Sequence, residues 1–92
     1  MKFNFTSRFS RAYSKLPNEI KTLFNDKIYQ FADNWQHPSF RLKKIQGTDS
    51  VWEASLNMSI RFTFEFAKDT DGTQVCILLN IGDHDHCLRP PY

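Results

Sequence analysis

Residues Thr73–His86 read TQVCILLNIGDHDH, and this stretch decides the fold. Val75 to Leu79 is apolar without a break. A strand apolar on both faces belongs inside a sheet, with neighbours on both edges. Gly82 then leads into alternating Asp and His. Imidazoles at the end of such a strand stand on a rigid platform at the sheet rim, a good position for acid/base work or for holding a polar group.

Working outward, Ile60 to Ala67 alternates with period two. Ile60, Phe62, Phe64 and Phe66 face one way, and Arg61, Thr63 and Glu65 the other. Asp71-Gly72, within the Lys68–Gly72 connection, is a hairpin signal. A turn centred near Asp69–Gly72 sets Arg61 roughly opposite Asn80. Arg61 then shares a face with Cys76, Leu78, Asn80 and, by continued alternation, His84. His84 stands about four residues further on, roughly 13 Å at ~3.3 Å per residue. Upstream, Val51–Leu56 and Phe40–Gln46 read as two more strands. Gly47-Thr48-Asp49 and Asn57-Met58-Ser59 are the breaks between them.

The N-terminal half is a short strand and two helices. Residues 2–6 (KFNFT) alternate, and Thr6 or Ser7 can cap a helix carrying Phe9, Ala12, Tyr13 and Leu16 on one stripe. Pro17 interrupts that helix and suits the first turn of another. Ile20, Leu23, Phe24, Ile28, Phe31 and Trp35 recur at helical spacing, while Lys21, Asp26, Lys27 and Asp33 fall on the watered side. His37-Pro38 ends the helix. The order β-α-α-β-β-β-β predicts an α+β fold, a helical hairpin packed on one face of a twisted antiparallel sheet. Ile20, Phe24, Ile28 and Phe31 are expected to meet the sheet at Phe62, Phe64, Val75, Ile77 and Leu79, with Trp35 and Trp52 in the core.

Composition narrows the function classes. The 92 residues fit one domain spanning 1–92. Nine Phe, three Tyr and two Trp supply much of a small core. A formal charge of +2 permits nucleic-acid binding without demanding it. No apolar h-region follows Met1-Lys2 and no run reaches membrane-spanning length, so a cytoplasmic protein without membrane attachment is expected. Cys76 and Cys87 are not in CxxC spacing and read as free thiols. The run Asp83-His84-Asp85-His86-Cys87 contains ligand residue types. In a strand His84 and His86 share a face while the acids and Cys87 take the other, and two ligands do not close a site. Neither a metal nor a cofactor is expected.

The ordered series FNFT, then KLP and NEIK, HPSFRLKKIQG, VWEA, IRFTFEF and ILLNIGDHD resembles the RelE/ParE toxins of bacterial type II toxin–antitoxin systems. The resemblance spans nearly the whole chain. It implies a toxin neutralised by a cognate antitoxin, with operator DNA bound only through the antitoxin complex. It further implies either an endoribonuclease acting on mRNA, usually at the ribosome, or a non-cleaving binding module, of the gyrase-inhibiting type or a catalytically degenerate toxin homologue. Arg61 matches the arginine that mRNA-cleaving members place on the scissile phosphate. His84 matches a position where several carry a catalytic histidine or arginine, and Glu53 an acidic position of a subset. Many relatives carry a basic residue where this chain has Ser55, and an aromatic where it has Cys87 or Leu88. Its last tyrosine is Tyr92.

The residue chemistry fits the ribonuclease branch. Attack by a ribose 2′-OH needs a base, an acid for the leaving oxygen and a cation for the phosphate. Arg61 supplies an always-charged fork, His84 an acid or base near neutral pH, and Glu53 either a carboxylate base or a cross-strand partner for a cation. Arg41, Lys43, Lys44 and His86 are the candidate substrate-binding residues. The lysines could equally protect an edge strand by charge.

Overall fold

The structure, a computed structural model, describes residues 1–92 apart from the side chain of His86. The elements are β1 (Lys2–Phe5), α1 (Ser7–Ser14), α2 (Asn18–Asn34), a 3-10 turn (Pro38–Phe40), β2 (Lys43–Lys44), β3 (Trp52–Ser55), β4 (Ile60–Lys68), β5 (Gln74–Asp83) and α3 (His84–Cys87). The sheet order is β1-β5-β4-β3-β2, with β1 parallel to β5 and the other pairs antiparallel. The unbroken apolar run is thus paired on both edges. No helix among the described residues is long and apolar enough to cross a membrane.

The helices begin where their caps place them. Thr6 Oγ1 accepts from the Phe9 backbone N–H at 3.2 Å and donates to the Leu78 carbonyl at 2.7 Å, so the α1 cap is also a tie to β5. α2 starts directly after Pro17. Its stripe carries the core: Phe31, fully buried, meets Phe40, Phe62 and Phe64 edge-on at ring distances of 5.2, 5.4 and 5.1 Å. Phe24 meets Phe62 edge-on at 5.8 Å, and Trp35 packs on Phe66 at 4.8 Å. These are the favoured geometries for aromatic quadrupoles.

β5 departs from the alternation expected of it. Thr63 pairs with Asn80, but Phe64 pairs with Leu78, leaving Leu79 as an extra residue. A bulge of this kind reverses which face later residues occupy. Cys76 and Leu78 therefore lie opposite Phe66 and Phe64 on the helix face, fully buried, and not on the face of Arg61. Val75 and Ile77 pair with Ala67 and Glu65, on the side away from the helices. The helix face of β5 is built from Cys76, Leu78 and Ile81 in place of Val75, Ile77 and Leu79.

Three further expectations are corrected. The strand over 40–46 shrinks to Lys43–Lys44, because Phe40 closes a 3-10 turn and Arg41 is left-handed at φ 46° and ψ 52°. Lys27 does not simply face water: its Nζ donates to the Leu56 carbonyl at 3.1 Å. Residues 84–87 form a helical turn instead of continuing the strand, with Leu88 N–H donating to the His84 carbonyl at 3.2 Å.

Candidate functional site

The sheet face turned away from α1 and α2 carries its polar residues in two transverse rows. Lys43, Glu53, Thr63 and Asn80 pair successively across β2, β3, β4 and β5. Ser55, Arg61 and Gly82 form the next row. Directly opposed residues project from the same side, and diagonal neighbours are ~7–8 Å apart, so Glu53 and Arg61 are within reach of one small group.

Arg61 is half-buried and fixed. Its Nη1 donates to the carbonyls of Asn57 at 2.8 Å and Ile60 at 3.2 Å, which clamps the guanidinium against the β3–β4 turn. Among the described residues it has no carboxylate partner. Its charge is held in place and not neutralised, and the remaining N–H donors of the fork are uncommitted.

Glu53 is half-buried on β3. Its Oε2 is enclosed without a hydrogen-bond partner among the described residues, and so is the hydroxyl of Thr63 beside it. A buried oxygen left unpaired is costly, so these two atoms favour a donor brought to them. Glu53 also lines an open depression of about 460 Å³ with Lys43, Lys44, Leu88 and Tyr92. Tyr92 thus comes to the carboxylate from the very end of the chain, a proximity that sequence reasoning missed. Its one signal was the aromatic that relatives carry after the histidine.

His84 is the first residue of α3, directly after the Asp83–Ile60 pair and two residues beyond the Gly82 that opposes Arg61. Its separation from the Arg61 position along the strand is therefore ~7 Å, not the 13 Å expected. Half of that gain comes from the bulge and half from the hairpin register. The ring is 67% exposed, with Nδ1 at 3.8 Å from Asp85 Oδ1. His84 stands at the rim and does not share the strand's alternation.

α3 folds back over the sheet. Cys87 is fully buried, and burial pushes its thiol up to about 12. The Glu53 and Asp83 carboxylates add to that shift, and Arg8 at the start of α1 opposes it. Arg8 is thereby placed in the same electrostatic neighbourhood, and nothing in the sequence pattern marks it. Cys76, on the other face, is likewise pushed up to about 12 by burial. Neither cysteine is a thiolate nucleophile near neutral pH.

The remaining candidates scatter. Lys43 lies in the Glu53 row. Lys44 pairs with Trp52 and places its Nζ 5.8 Å from that ring's centre, on the helix side. Arg41 sits on neither face of a strand but at the end of the 3-10 turn. The side chain of His86 lies outside the described residues. Among the described residues no three His, Cys, Asp or Glu side chains come together as a metal site. A further cavity of about 470 Å³, between Phe5, Phe9, Tyr13, Phe24, Ile28 and Tyr29, lies among β1, α1 and α2, away from these residues.

No protein-family model matches the chain, and no curated protein matches it. Solved structures do. A YoeB/ParE toxin from Agrobacterium tumefaciens is similar with a TM-score of 0.72 at 15% identity, over 91% of this chain and 99% of that one. YafQ from Escherichia coli gives 0.72 at 8% identity, over 92% and 94%. A chain of an archaeal RelE–RelB complex from Pyrococcus horikoshii gives 0.66 at 15% identity, over 89% and 92%. The chain has the RelE/ParE toxin fold.

Proposed function

We propose that the protein is the toxin of a toxin–antitoxin pair, held by a cognate antitoxin and acting in the cytoplasm as an mRNA-cleaving endoribonuclease, with the ribosome as its site of action. The observation that carries this reading is Arg61: a cation clamped to backbone carbonyls, without a carboxylate partner among the described residues, in the row next to a half-buried glutamate. A structural ion pair needs no such arrangement. A phosphate-binding fork does.

The residues divide the work as follows. Glu53 takes the proton of the ribose 2′-OH, and the 2′-oxygen forms a bond to phosphorus. Arg61 donates to the non-bridging oxygens as their charge grows. The bond from phosphorus to the 5′-oxygen breaks, and protonated His84 at the rim gives that oxygen its proton. The products are a 2′,3′-cyclic phosphate and a 5′-hydroxyl. Lys43, beside Glu53 on the edge strand, serves the substrate backbone, and Tyr92 in the same depression offers a ring for a base to stack on.

One observation favours a second reading, a non-cleaving module of the gyrase-inhibiting type. Ser55 stands beside Arg61 where a second cation would strengthen phosphate binding. Induced expression followed by 5′-end mapping of cellular mRNA decides between the two. New 5′ ends that vanish in Arg61→Ala support cleavage. Toxicity without new ends, accompanied by loss of gyrase supercoiling activity, supports the second reading.

A further inference from the structure

Two cations grip the same turn from opposite sides of the sheet. Lys27, on α2, donates to the Leu56 carbonyl at 3.1 Å, and Arg61, on the open face, donates to the adjacent Asn57 carbonyl at 2.8 Å. A third, Arg41, reaches the same place from the 3-10 turn. It lines a depression of about 140 Å³ with Lys27, Ser55 and Asn57, and no carboxylate lines it. Arg41 is exposed, and its side chain makes no hydrogen bond or ion pair with any described residue. Ser55 connects this depression to the proposed cleavage site, because it lies opposite Arg61 in the same row. Its hydroxyl also has no partner among the described residues.

The backbone at Arg41 adds an independent observation. Its φ of 46° is the only positive value at a non-glycine residue among the described residues. This is the position after a helical turn that glycine fills without strain. A long cationic side chain held there, unpaired, beside two other cations is strain kept at a site that uses charge.

We propose that Arg41, Lys27 and Ser55 form a second phosphate subsite, which takes the backbone phosphate of a single-stranded RNA next to the one held by Arg61. The inference rests on the ribonuclease reading above for its ligand. The strand would then run off the open face and around the β3–β4 turn towards α2. Arg41 supplies the fork, Lys27 a point charge already positioned by its carbonyl contact, and Ser55 a neutral donor between the two phosphates.

The test uses the full chain and a fluorescent single-stranded RNA bearing 2′-O-methyl groups throughout, which cannot be cut. Anisotropy titrations at about 50 and 200 mM salt give the slope of log affinity against log salt. Arg41→Gly removes the charge and the strain together. It is expected to flatten the slope by ~0.7, the increment for one phosphate contact on a single strand, with a melting temperature equal to or above the parent's. Lys27→Gln should flatten it similarly, and Lys15→Gln, on the far end of the helical hairpin, should leave it unchanged. Unaltered slopes in both Arg41→Gly and Lys27→Gln, with binding still lost in Arg61→Ala, would overturn the subsite and leave the ribonuclease reading intact. Flattened slopes in a protein that cuts no RNA would uphold the subsite and count against the chemistry. If Arg41→Gly weakens binding of poly-glutamate and not of the RNA, the patch serves an acidic protein partner and the proposal fails.

Discussion

Replacing Arg61 separates chemistry from stability by a margin that can be worked out. The alanine variant loses two hydrogen bonds from a charged, half-buried donor to the Asn57 and Ile60 carbonyls. Net values of ~1.5–3 kcal/mol apply to charged hydrogen bonds, and partial exposure reduces this to about 1–2 kcal/mol here. A domain of this size holds ~5–15 kcal/mol. Even from the low end, about 3 kcal/mol would remain, leaving under about 1% of molecules unfolded. Loss of the phosphate-charge stabiliser costs ~2.7–4 kcal/mol in the transition state, or ~10²–10³ in rate. Unfolding therefore cannot mimic the catalytic loss. The assay is single-turnover cleavage of a defined RNA, with and without ribosomes, beside a urea melt on the same preparation. Arg61→Lys keeps the charge without the fork and should retain part of the rate. An alanine variant that cleaves within about threefold of the parent would refute the assignment, since one lost stabiliser should cost far more.

The other predictions address the frame and the rim. Phe31→Ala should cost ~3–5 kcal/mol, read from the urea midpoint, because four rings lose an edge-on or tilted partner; a loss below about 1.5 kcal/mol would show that the α2–sheet contact is looser than described. Thr6→Ala removes both a helix cap and the tie to Leu78 and should cost about 1–2 kcal/mol by the same melt. His84→Ala should slow cleavage by ~10²–10⁴ with an unchanged melting curve, and an unchanged rate would move the acid elsewhere. Cys76 and Cys87 should resist a thiol reagent at pH 8 until denaturant is added. Both thiols are held above their ordinary 9.0, so the unfolded chain ionises first: stability is intact below about pH 9 and falls as pH rises towards 12, at up to ~1.4 kcal/mol per pH unit for each thiol.

Elements governed by local periodicity were legible before the structure. The α2 stripe, the Thr6 cap and the Ile60–Ala67 alternation each depend on neighbours close in sequence. The bulge at Leu79 does not. In a segment that is apolar throughout, no polar residue marks where the alternation slips, and β5 changes parity silently. Arg41 was misread for a related reason: a left-handed arginine carries no glycine to announce it. The short α3 defeats alternation because Asp-His-Asp-His fits a strand as well as a helical turn. For the site, the Arg61–Glu53 neighbourhood comes from the β3–β4 register, which the sequence pattern leaves open. Arg8 and Tyr92 reach it through long-range docking that no local pattern encodes.

The placement of β5 has a consequence for synthesis. This strand is hydrogen-bonded to β1 on one edge and β4 on the other, yet it is the last of the five strands to be made. Until it emerges, β1 has no partner, the Thr6 tie has no acceptor and the rings of α2 face an unfinished sheet. Pairing the two ends of a chain is entropically late in any case. A nascent chain interrupted before β5 lacks an inner strand of the sheet and His84 together. For a protein proposed to attack translation, the proposed site is thereby withheld until the last strand of its own sheet has been translated.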